Sequence, residues 1–451
     1  MVIDTRHEVR QQPRVLLIGG GFAGTHAAKA LAKLPVSVTV IDRSNHFTFQ
    51  PLLYQVGLAV LSPADIASPI RTILRGNANT EVLMDEAVGF DLGERRVRLR
   101  SGAEMPYDYL MVATGATHSY FGHDDWGPLA PGLKTIEDAI EIRRRVLLTF
   151  ELAERRMLET GSHPPLNFVV VGGGPTGVEL AGAIRDITRL YLRRDFRHID
   201  PTQARVLLLE GGPRVLASYP EELSRKAEQQ LAALGVEIHT GMNVSDVQPG
   251  YVIAGGRRID SVDTLWAAGV QASPLGRMLG VPTDKRGCVH VNATLNPEGH
   301  PEIFVCGDLA HFEQDGKQVP GVAQPAMQMG EHVAKMIAAD LNHRPRAPFR
   351  YFDKGDIATI GRMAAVADVK WPFRAKLSGF PAWVTWLTVH IYFLIGFRNR
   401  MFVLWQWTWS YFTFTSGVRL IYGSQNLPGW PQEPGATASE TQAPGKSAAA
   451  D

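Results

Sequence analysis

Cysteine is nearly absent: Cys288 and Cys306 are the two thiols in 451 residues. Two thiols cannot build a disulfide framework, and the low count suits a reducing compartment. No C-x-x-C or C-x4-C pair is present, so a redox-active dithiol is not expected. Cys306 sits inside an apolar strand and Cys288 stands alone; both read as packing residues. Histidines and cysteines nowhere cluster with ligand spacing, so no metal centre is expected. Net charge is lacking as well. Lys+Arg (46) against Asp+Glu (45) leaves +1, which excludes a chain-wide basic field and with it nucleic acid as a partner. The first ten residues lack an apolar core, so no secretory signal is expected. At 45% hydrophobic and 20% charged, the chain is not disordered as a whole. Its length corresponds to about three domains of about 150 residues.

Glycine is abundant, at 44 residues, and its placement carries the argument. Val15 to Ile18 is an apolar strand running into Gly19-Gly-Gly-Phe-Ala-Gly24. An Ala/Leu/Lys-rich helical stretch, Thr25 to Leu34, follows. A β-branched strand, Val36 to Ile41, then ends at Asp42. This is a βαβ unit. The pattern recurs as strand Asn167 to Val171, turn Gly172-Gly-Gly-Pro-Thr-Gly177, helix Val178 to about Leu192, and strand Arg205 to Leu209 ending at Glu210. Each half later closes a strand on a small-residue turn: Ala113-Thr114-Gly115 and Ala268-Gly269. Gly19 to Gly115 spans 96 residues and Gly172 to Gly269 spans 97, the sign of a duplicated nucleotide-binding unit. Between them Thr135 and Asp138 predict a helix start. Glu302 to Ala310 is a further strand containing Gly307-Asp308, and Pro325 to Ala338 is helical.

Gly19, Gly21 and Gly24 satisfy G-x-G-x-x-G, as do Gly172, Gly174 and Gly177. The first glycine permits the turn, the second admits a pyrophosphate against the backbone, and the third lets helix and strand pack closely. Phe22 and Ala23, like Pro175 and Thr176, complete the two turns. Asp42, 18 residues after Gly24, and Glu210, 33 after Gly177, are the strand-end acids that accept from a ribose diol; Arg43 adjoins the first. The longer second interval contains Arg193 to Asp200. Two dinucleotides in one chain imply electron transfer between them, with FAD held non-covalently and NADH as substrate. Asp308 can bind the ribityl hydroxyls, which assigns FAD to the first unit. Glu210 repels a 2′-phosphate and favours NADH over NADPH, although Arg214 is near.

The end of the chain is different again. No acidic residue lies between Asp368 and Glu433, while Lys370, Arg374, Lys376, Arg398, Arg400 and Arg419 give a local +6. Seven of nine tryptophans fall there. Leu377 to Phe397 and Met401 to Val418 lack formal charge, but polar residues interrupt both and aromatics are too dense for a span. The expected arrangement is a pair of amphipathic helices lying in a membrane interface, with the basic residues on anionic lipid. A transmembrane hairpin and a contact with the core or a second copy are the alternatives. The fold expected is α/β: two Rossmann-like dinucleotide-binding domains plus C-terminal membrane-associating helices. The boundaries are a flexible N-terminus (1–12), an FAD domain (13–135 and 283–345), an NADH domain inserted in it (136–282), a membrane-associating section (346–430) and a disordered tail (431–451).

Gly19-Gly-Gly-Phe-Ala-Gly24, Pro51-Leu-Leu53, Ala113-Thr-Gly115, Val169 to Ala181, Gly307-Asp308 and Ala323-Gln-Pro-Ala-Met-Gln328 together resemble the type II, single-subunit, non-proton-pumping NADH:quinone dehydrogenases. Gly396-Phe-Arg-Asn-Arg400 and Trp405-Gln-Trp-Thr-Trp409 resemble bacterial members, and the likeness runs from Val15 to about Tyr422. It implies hydride transfer from NADH to FAD, then two-electron reduction of a membrane quinone. It implies Gln324 and Gln328 as quinone-site residues and Glu179 near nicotinamide and flavin. Pro51-Leu-Leu53 is implied beside the isoalloxazine, with His46 and Gln50 as FAD contacts. The expected location is the cytoplasmic face of the inner membrane, with a homodimer as a further expectation. One departure is that Ser416 and Gly417 stand where a basic residue is expected before Arg419. A sulfide:quinone reductase, a ferredoxin reductase and a non-catalytic NADH-responsive flavoprotein are the competing readings. The first needs paired cysteines; the second would lack the aromatic basic end.

Overall fold

The computed structural model describes residues 12–394, 397–413 and 418–421. The expected flexible N-terminus (apart from Gln12), the expected tail, and the positions of Gly396, Ser416, Gly417, Tyr422 and Trp430 lie outside the described residues.

Arg14–Ile18 is apolar throughout its buried part, as a strand with parallel neighbours on both sides must be. Five parallel strands run in the order Ile303–Val305, Tyr109–Val112, Arg14–Ile18, Ser37–Asp42, Thr80–Met84. A second parallel sheet runs Val236–Thr240, Arg205–Glu210, Asn167–Val171, Asp263–Trp266. The registers match: Ile18 stands opposite Val112, and Val171 opposite Trp266. Ala116–His118 and Val270–Ala272 form a two-stranded antiparallel crossing between the units.

Six helices matter for the site: α1 (Phe22–Leu31), α2 (Ile136–Thr160), α3 (Pro175–Asp186), α4 (Ala323–Leu341), α5 (Phe380–Phe393) and α6 (Phe397–Thr413). Helices α1 and α3 begin about one turn earlier than the residue pattern predicts, because the glycine motif itself supplies the first helical turn. Beyond α3 the chain continues in a π turn, Ile187–Tyr191, and then a loop. Glu154 of α2 ties that loop by accepting from the N–H groups of Arg197 (3.1 Å) and Ile199 (3.1 Å). This detour accounts for the long interval before Glu210. Helix α2 starts as predicted: Thr135 Oγ1 accepts from the Asp138 N–H at 3.1 Å, and Asp138 Oδ2 accepts from the Thr135 N–H at 2.9 Å.

The section 346–430 departs from expectation. It opens with a three-stranded antiparallel sheet, Gly355–Gly361, Ala364–Val369 and Ala375–Ser378, so Leu377 and Ser378 end a strand instead of starting a helix. This sheet lies on α3 so closely that a Cβ at Gly182 would collide with the Ile360 carbonyl. Helices α5 and α6 follow, and they are not amphipathic. Ala382, Trp386, Val403 and Trp407 are buried, while the outward side chains Phe380, Val384, Tyr392, Met401, Phe402, Leu404 and Trp405 are also apolar. Among the described side chains of the two helices the one Lys, Arg, Asp or Glu is Arg400, less than the charged face that the expected pattern requires. Among the described residues no helix is long and apolar enough to cross a membrane. The basic residues are also largely committed. Lys370 pairs with Asp353 (2.6 Å), Lys376 with Glu222 (3.7 Å) and Arg419 with Asp195, while Arg400 donates to the Leu394 carbonyl at 2.7 Å. Three of the six charges are thus met by carboxylates, while Arg374 remains exposed.

Candidate functional site

The two glycine turns are built alike. Gly19 and Gly172 have φ of +105° and +107°, a region closed to other residues without strain. The Gly19 N–H donates to the Ile41 carbonyl at 2.8 Å, and the Gly172 N–H to Leu209 at 2.7 Å. A Cβ at Gly24 or Gly177 would strike the carbonyl of Gly19 or Gly172. At Gly21 and Gly174, by contrast, a Cβ would meet nothing within 4 Å. Protein packing does not require those two glycines. The open space is what a pyrophosphate approaching the backbone requires. Both helices begin there without a side-chain cap, so their first N–H groups stay available to an anion.

The strand-end acids are equivalent too. Asp42 Oδ2 accepts from the Gly20 N–H (2.7 Å) and Oδ1 from the Ser44 N–H (2.7 Å). Glu210 Oε2 accepts from the Gly173 N–H (2.5 Å) and Oε1 from the Gly212 N–H (2.6 Å). Each carboxylate oxygen keeps a lone pair for a ribose hydroxyl. Arg214 does not compete. Its guanidinium donates to the carbonyls of Tyr219 (3.0 Å) and Ala217 (2.7 Å) and is spent on the backbone.

Ala113, Thr114 and Gly115 lie at the C-terminal edge of the first sheet. The Ala113 N–H donates to the Ile18 carbonyl at 2.8 Å, and the Thr114 hydroxyl is buried without a partner. Ala268 and Gly269 close the second sheet in the same way. Gly307-Asp308 is brought beside the first turn by the neighbouring strand Ile303–Val305 and by α4. Gly330 of α4 meets the Ala23 carbonyl so closely that a Cβ would clash, and the Gly307 N–H points at Met329 Sδ, 3.3 Å away. Asp308 lies in a single 3-10 turn, Gly307–Leu309, not at the cap of a longer helix. Arg43 and Gln50 are exposed. Gln50 Nε2 reaches the Lys134 carbonyl at 3.4 Å, and His46 Nδ1 lies 3.0 Å from Asn45 Oδ1.

The two glutamines expected at a quinone differ. Gln324 Nε2 donates to the Gly355 carbonyl at 2.9 Å and leaves Oε1 buried without a partner. Gln328 is consumed by one residue: Nε2 donates to the Phe352 carbonyl (3.0 Å) and Oε1 accepts from the Phe352 N–H (2.9 Å). Its geometry is that of a strut holding residue 352.

Glu179 lies in the first half of α3. Protein atoms surround its carboxyl densely, although the residue as a whole is half-buried. Burial pushes it up to about 8, opposed by a hydrogen bond from the Thr359 N–H. Asp186, about two turns further along the same face of α3, is pushed up to about 6 by burial, opposed by the Arg362 N–H at 2.7 Å. Tyr54 and Gln55 were not legible as site residues, except that they follow Pro51-Leu-Leu53. Both are buried, with Gln55 Nε2 donating to the Tyr54 hydroxyl at 2.9 Å. Burial, and then the charge of Glu179, push the Tyr54 phenol well above its usual range. Thr359, which also touches this group, gave no sequence signal. Cys288 and Cys306 are both free and buried. Burial raises the Cys288 thiol to about 11 and the Cys306 thiol further. Neither is a thiolate at neutral pH, and the described residues contain no metal-binding cluster.

Residues 13–330 match the family described as pyridine nucleotide-disulphide oxidoreductase. Over 427 residues the chain is 43% identical to the type II NADH:quinone oxidoreductase Ndh of Mycobacterium tuberculosis, with 91% of each chain covered. The structure of NDH2 from Plasmodium falciparum in complex with NADH superposes with a TM-score of 0.81 at 19% identity, covering 91% of this chain and all of that one. The sulfide:quinone oxidoreductase of Aquifex aeolicus superposes at 0.69 and 19% identity, covering 89% and 96%. These two structural likenesses show the fold.

Proposed function

The chain belongs to the pyridine nucleotide-disulphide oxidoreductases and, within them, to the type II NADH:quinone oxidoreductases, and on that premise we propose how its own residues carry the reaction. It is an FAD-dependent enzyme that oxidises NADH and reduces a quinone. The observation that carries the residue-level reading is the pair of equivalent, uncapped glycine turns with open space at Gly21 and Gly174.

The residues present fit FAD at the first turn. Gly19, Gly21, Phe22, Ala23 and Gly24 form the phosphate cradle, and Asp42 receives the ribose. Thr114, with its orphaned hydroxyl, and Asp308 face the rest of the cofactor, with Ala113 and Gly115 lining the same edge. FAD held there supplies an isoalloxazine that takes hydride from NADH and returns two electrons to a quinone. Gly172, Gly174, Pro175, Thr176 and Gly177 cradle the NADH pyrophosphate, Glu210 takes the adenosine ribose, and Ala268 and Gly269 border the nicotinamide end. The Glu210 carboxylate repels a 2′-phosphate, and Arg214, although it keeps its charge, turns its terminal N–H groups to backbone carbonyls and not to a nucleotide phosphate, so NADH is preferred.

Gln324 meets the quinone: its free Oε1 and second Nε2 hydrogen are a hydrogen-bonding pair for a quinol hydroxyl and a quinone carbonyl. Glu179, neutral at pH 7, holds a proton at its carboxyl within the same interior, available for a quinone oxygen. Helices α5 and α6 rest in the membrane interface by their outward aromatic and aliphatic side chains. The protein thus sits as a peripheral, monotopic enzyme on the cytoplasmic face, with apolar burial in place of a cationic field. We take the FAD domain as residues 13–135 and 283–345 around an NADH domain of 136–282, a division supported by the two separate parallel sheets.

Steady-state turnover with NADH and a short-chain quinone tests this. Rapid oxidation of NADH dependent on quinone is expected. A yellow protein that turns over only at a trace rate would favour a signalling flavoprotein. Sulfide-dependent quinone reduction would favour the sulfide reading, against which the two buried, unpaired thiols stand.

A further inference from the structure

The interior beside Glu179 is connected to the outermost helix by a run of buried polar contacts. Trp407 of α6 donates its indole N–H to Gln55 Oε1 at 2.8 Å, from 352 positions away. Gln55 Nε2 donates to the Tyr54 hydroxyl at 2.9 Å. The Tyr54 hydroxyl meets the Thr359 side chain, whose backbone N–H serves Glu179. Trp407, Gln55 and Tyr54 are 7%, 7% and 6% exposed. A column of rings runs alongside: Trp407 to Trp386 (5.3 Å between centroids), Trp386 to His390 (4.4 Å), His390 to Phe49 (6.1 Å) and Phe49 to Phe22 in the first glycine turn (6.0 Å). Rings tolerate sliding. A chain of hydrogen bonds in an apolar interior does not, because any other seating of the helix orphans a buried donor or acceptor.

We propose that Trp407, Gln55 and Tyr54 form a positioning chain that fixes α6 against the cofactor side of the protein and orients the Tyr54 hydroxyl, so that quinone reduction depends on it while reduction of the flavin by NADH does not. This deepens the functional reading above and rests on it for the placing of the quinone. The chain approaches from the side of α6 and the C-terminal sheet, where Gln324 is held by Gly355. The NADH cradle, Gly172 to Gly177, is the turn that opens α3 and is braced by Glu210, whereas the hydrogen bonds of Trp407, Gln55 and Tyr54 run to one another and to Thr359. Removing the indole N–H therefore disturbs one half-reaction only.

The test uses the full-length holoenzyme with Trp407→Phe, which keeps a ring and loses the donor, and the double variant Gln55→Met/Trp407→Phe, which removes both partners. In anaerobic stopped flow, Trp407→Phe should bleach with NADH at the wild-type rate and recolour with a short-chain quinone about fivefold more slowly, the weight of one net hydrogen bond. Hydrogen exchange at residues 53–58 should rise in the same variant. The double variant sets two apolar side chains against each other and leaves the Tyr54 hydroxyl its contact with Thr359; it should recover most of the stability lost in Trp407→Phe and stay slow in recolouring. Wild-type recolouring in Trp407→Phe, or recovery of recolouring together with stability in the double variant, would overturn the proposal. The role of Glu179 is read separately: a Glu179→Gln protein that recolours normally sinks that assignment and leaves the seating chain to be judged on Trp407 alone.

Discussion

Asp42 and Glu210 hold the same post in the two halves of the molecule: each carboxylate bridges the N–H just after the first motif glycine of its own turn (Gly20 or Gly173) and the N–H two residues beyond itself. The acid we assign to a ribose thus also braces the loop we assign to the phosphates. Substitutions at either acid carry a ligand effect and a structural one, and the expected outcomes separate them.

Glu210→Gln keeps an acceptor oxygen for the turn and removes the charge. The ratio of kcat/KM for NADPH to that for NADH should rise about tenfold, the scale of one charge-assisted contact. An unchanged ratio in parallel assays with the two nucleotides would remove Glu210 from the ribose site.

Two of the four glycines of the first turn, Gly21 and Gly24, should respond oppositely. Gly21→Ala places its methyl in open space, so stability should stay within about 0.5 kcal/mol while bound FAD falls. Gly24→Ala collides with the Gly19 carbonyl and should cost about 2 kcal/mol or more. Melting curves read beside the ratio of flavin to protein absorbance distinguish the two.

Gln324 and Gln328 divide along the same line. Gln328→Leu breaks both bonds to Phe352 and should destabilise by about 1 kcal/mol with little change in the quinone KM. Gln324→Leu should raise the quinone KM several-fold while the NADH KM holds. If the two variants share one kinetic phenotype, the strut reading of Gln328 is wrong.

Glu179 gives a pH dependence with a definite sign. Its folded value is raised from 4.5 to about 8, so the folded state binds the proton more tightly than the unfolded chain. Stability from this group is therefore full below pH 4.5, declines as pH rises towards 8, and is absent above it. The melting temperature of Glu179→Gln, relative to wild type, should rise across that window. In turnover, the wild-type rate with quinone should fall as pH passes 8, a limb the Gln variant lacks. Parallel curves for the two proteins would contradict the raised value.

Outward charges test the membrane face better than deletion does, since deletion also uncovers Gln55 and Tyr54. Tyr392 and Trp405 are 67% and 64% exposed. Tyr392→Glu with Trp405→Glu should shift the protein from liposomes to supernatant in flotation while the flavin stays bound. Continued flotation would place the anchor elsewhere.

Much of the nucleotide machinery was legible because its constraints are local. A strand running into G-x-G-x-x-G, an acid at the next strand end and a small-residue closing turn are backbone requirements, and Gly19, Asp42, Gly172 and Glu210 stand where the spacing puts them. The helix start at Thr135 was legible for the same reason. The C-terminal sheet was not. Ala364 to Val369 is too rich in alanine to read as a strand, and its stability comes from α3 through Gly182. The local charge count did not show that Asp195, Asp353 and Glu222, supplied from other parts of the chain, pair with Arg419, Lys370 and Lys376. Tyr54, Gln55 and Thr359 became visible only when tertiary packing joined them to Trp407 and Glu179, since no periodicity marks a contact across 352 positions.

The most direct measurement is the visible spectrum of the purified protein under anaerobic conditions, before and after NADH and again after a quinone. The account predicts a yellow protein whose flavin absorbance is lost on addition of NADH and restored by the quinone. A colourless preparation from which no flavin can be extracted, or a flavin that NADH does not bleach, would contradict it.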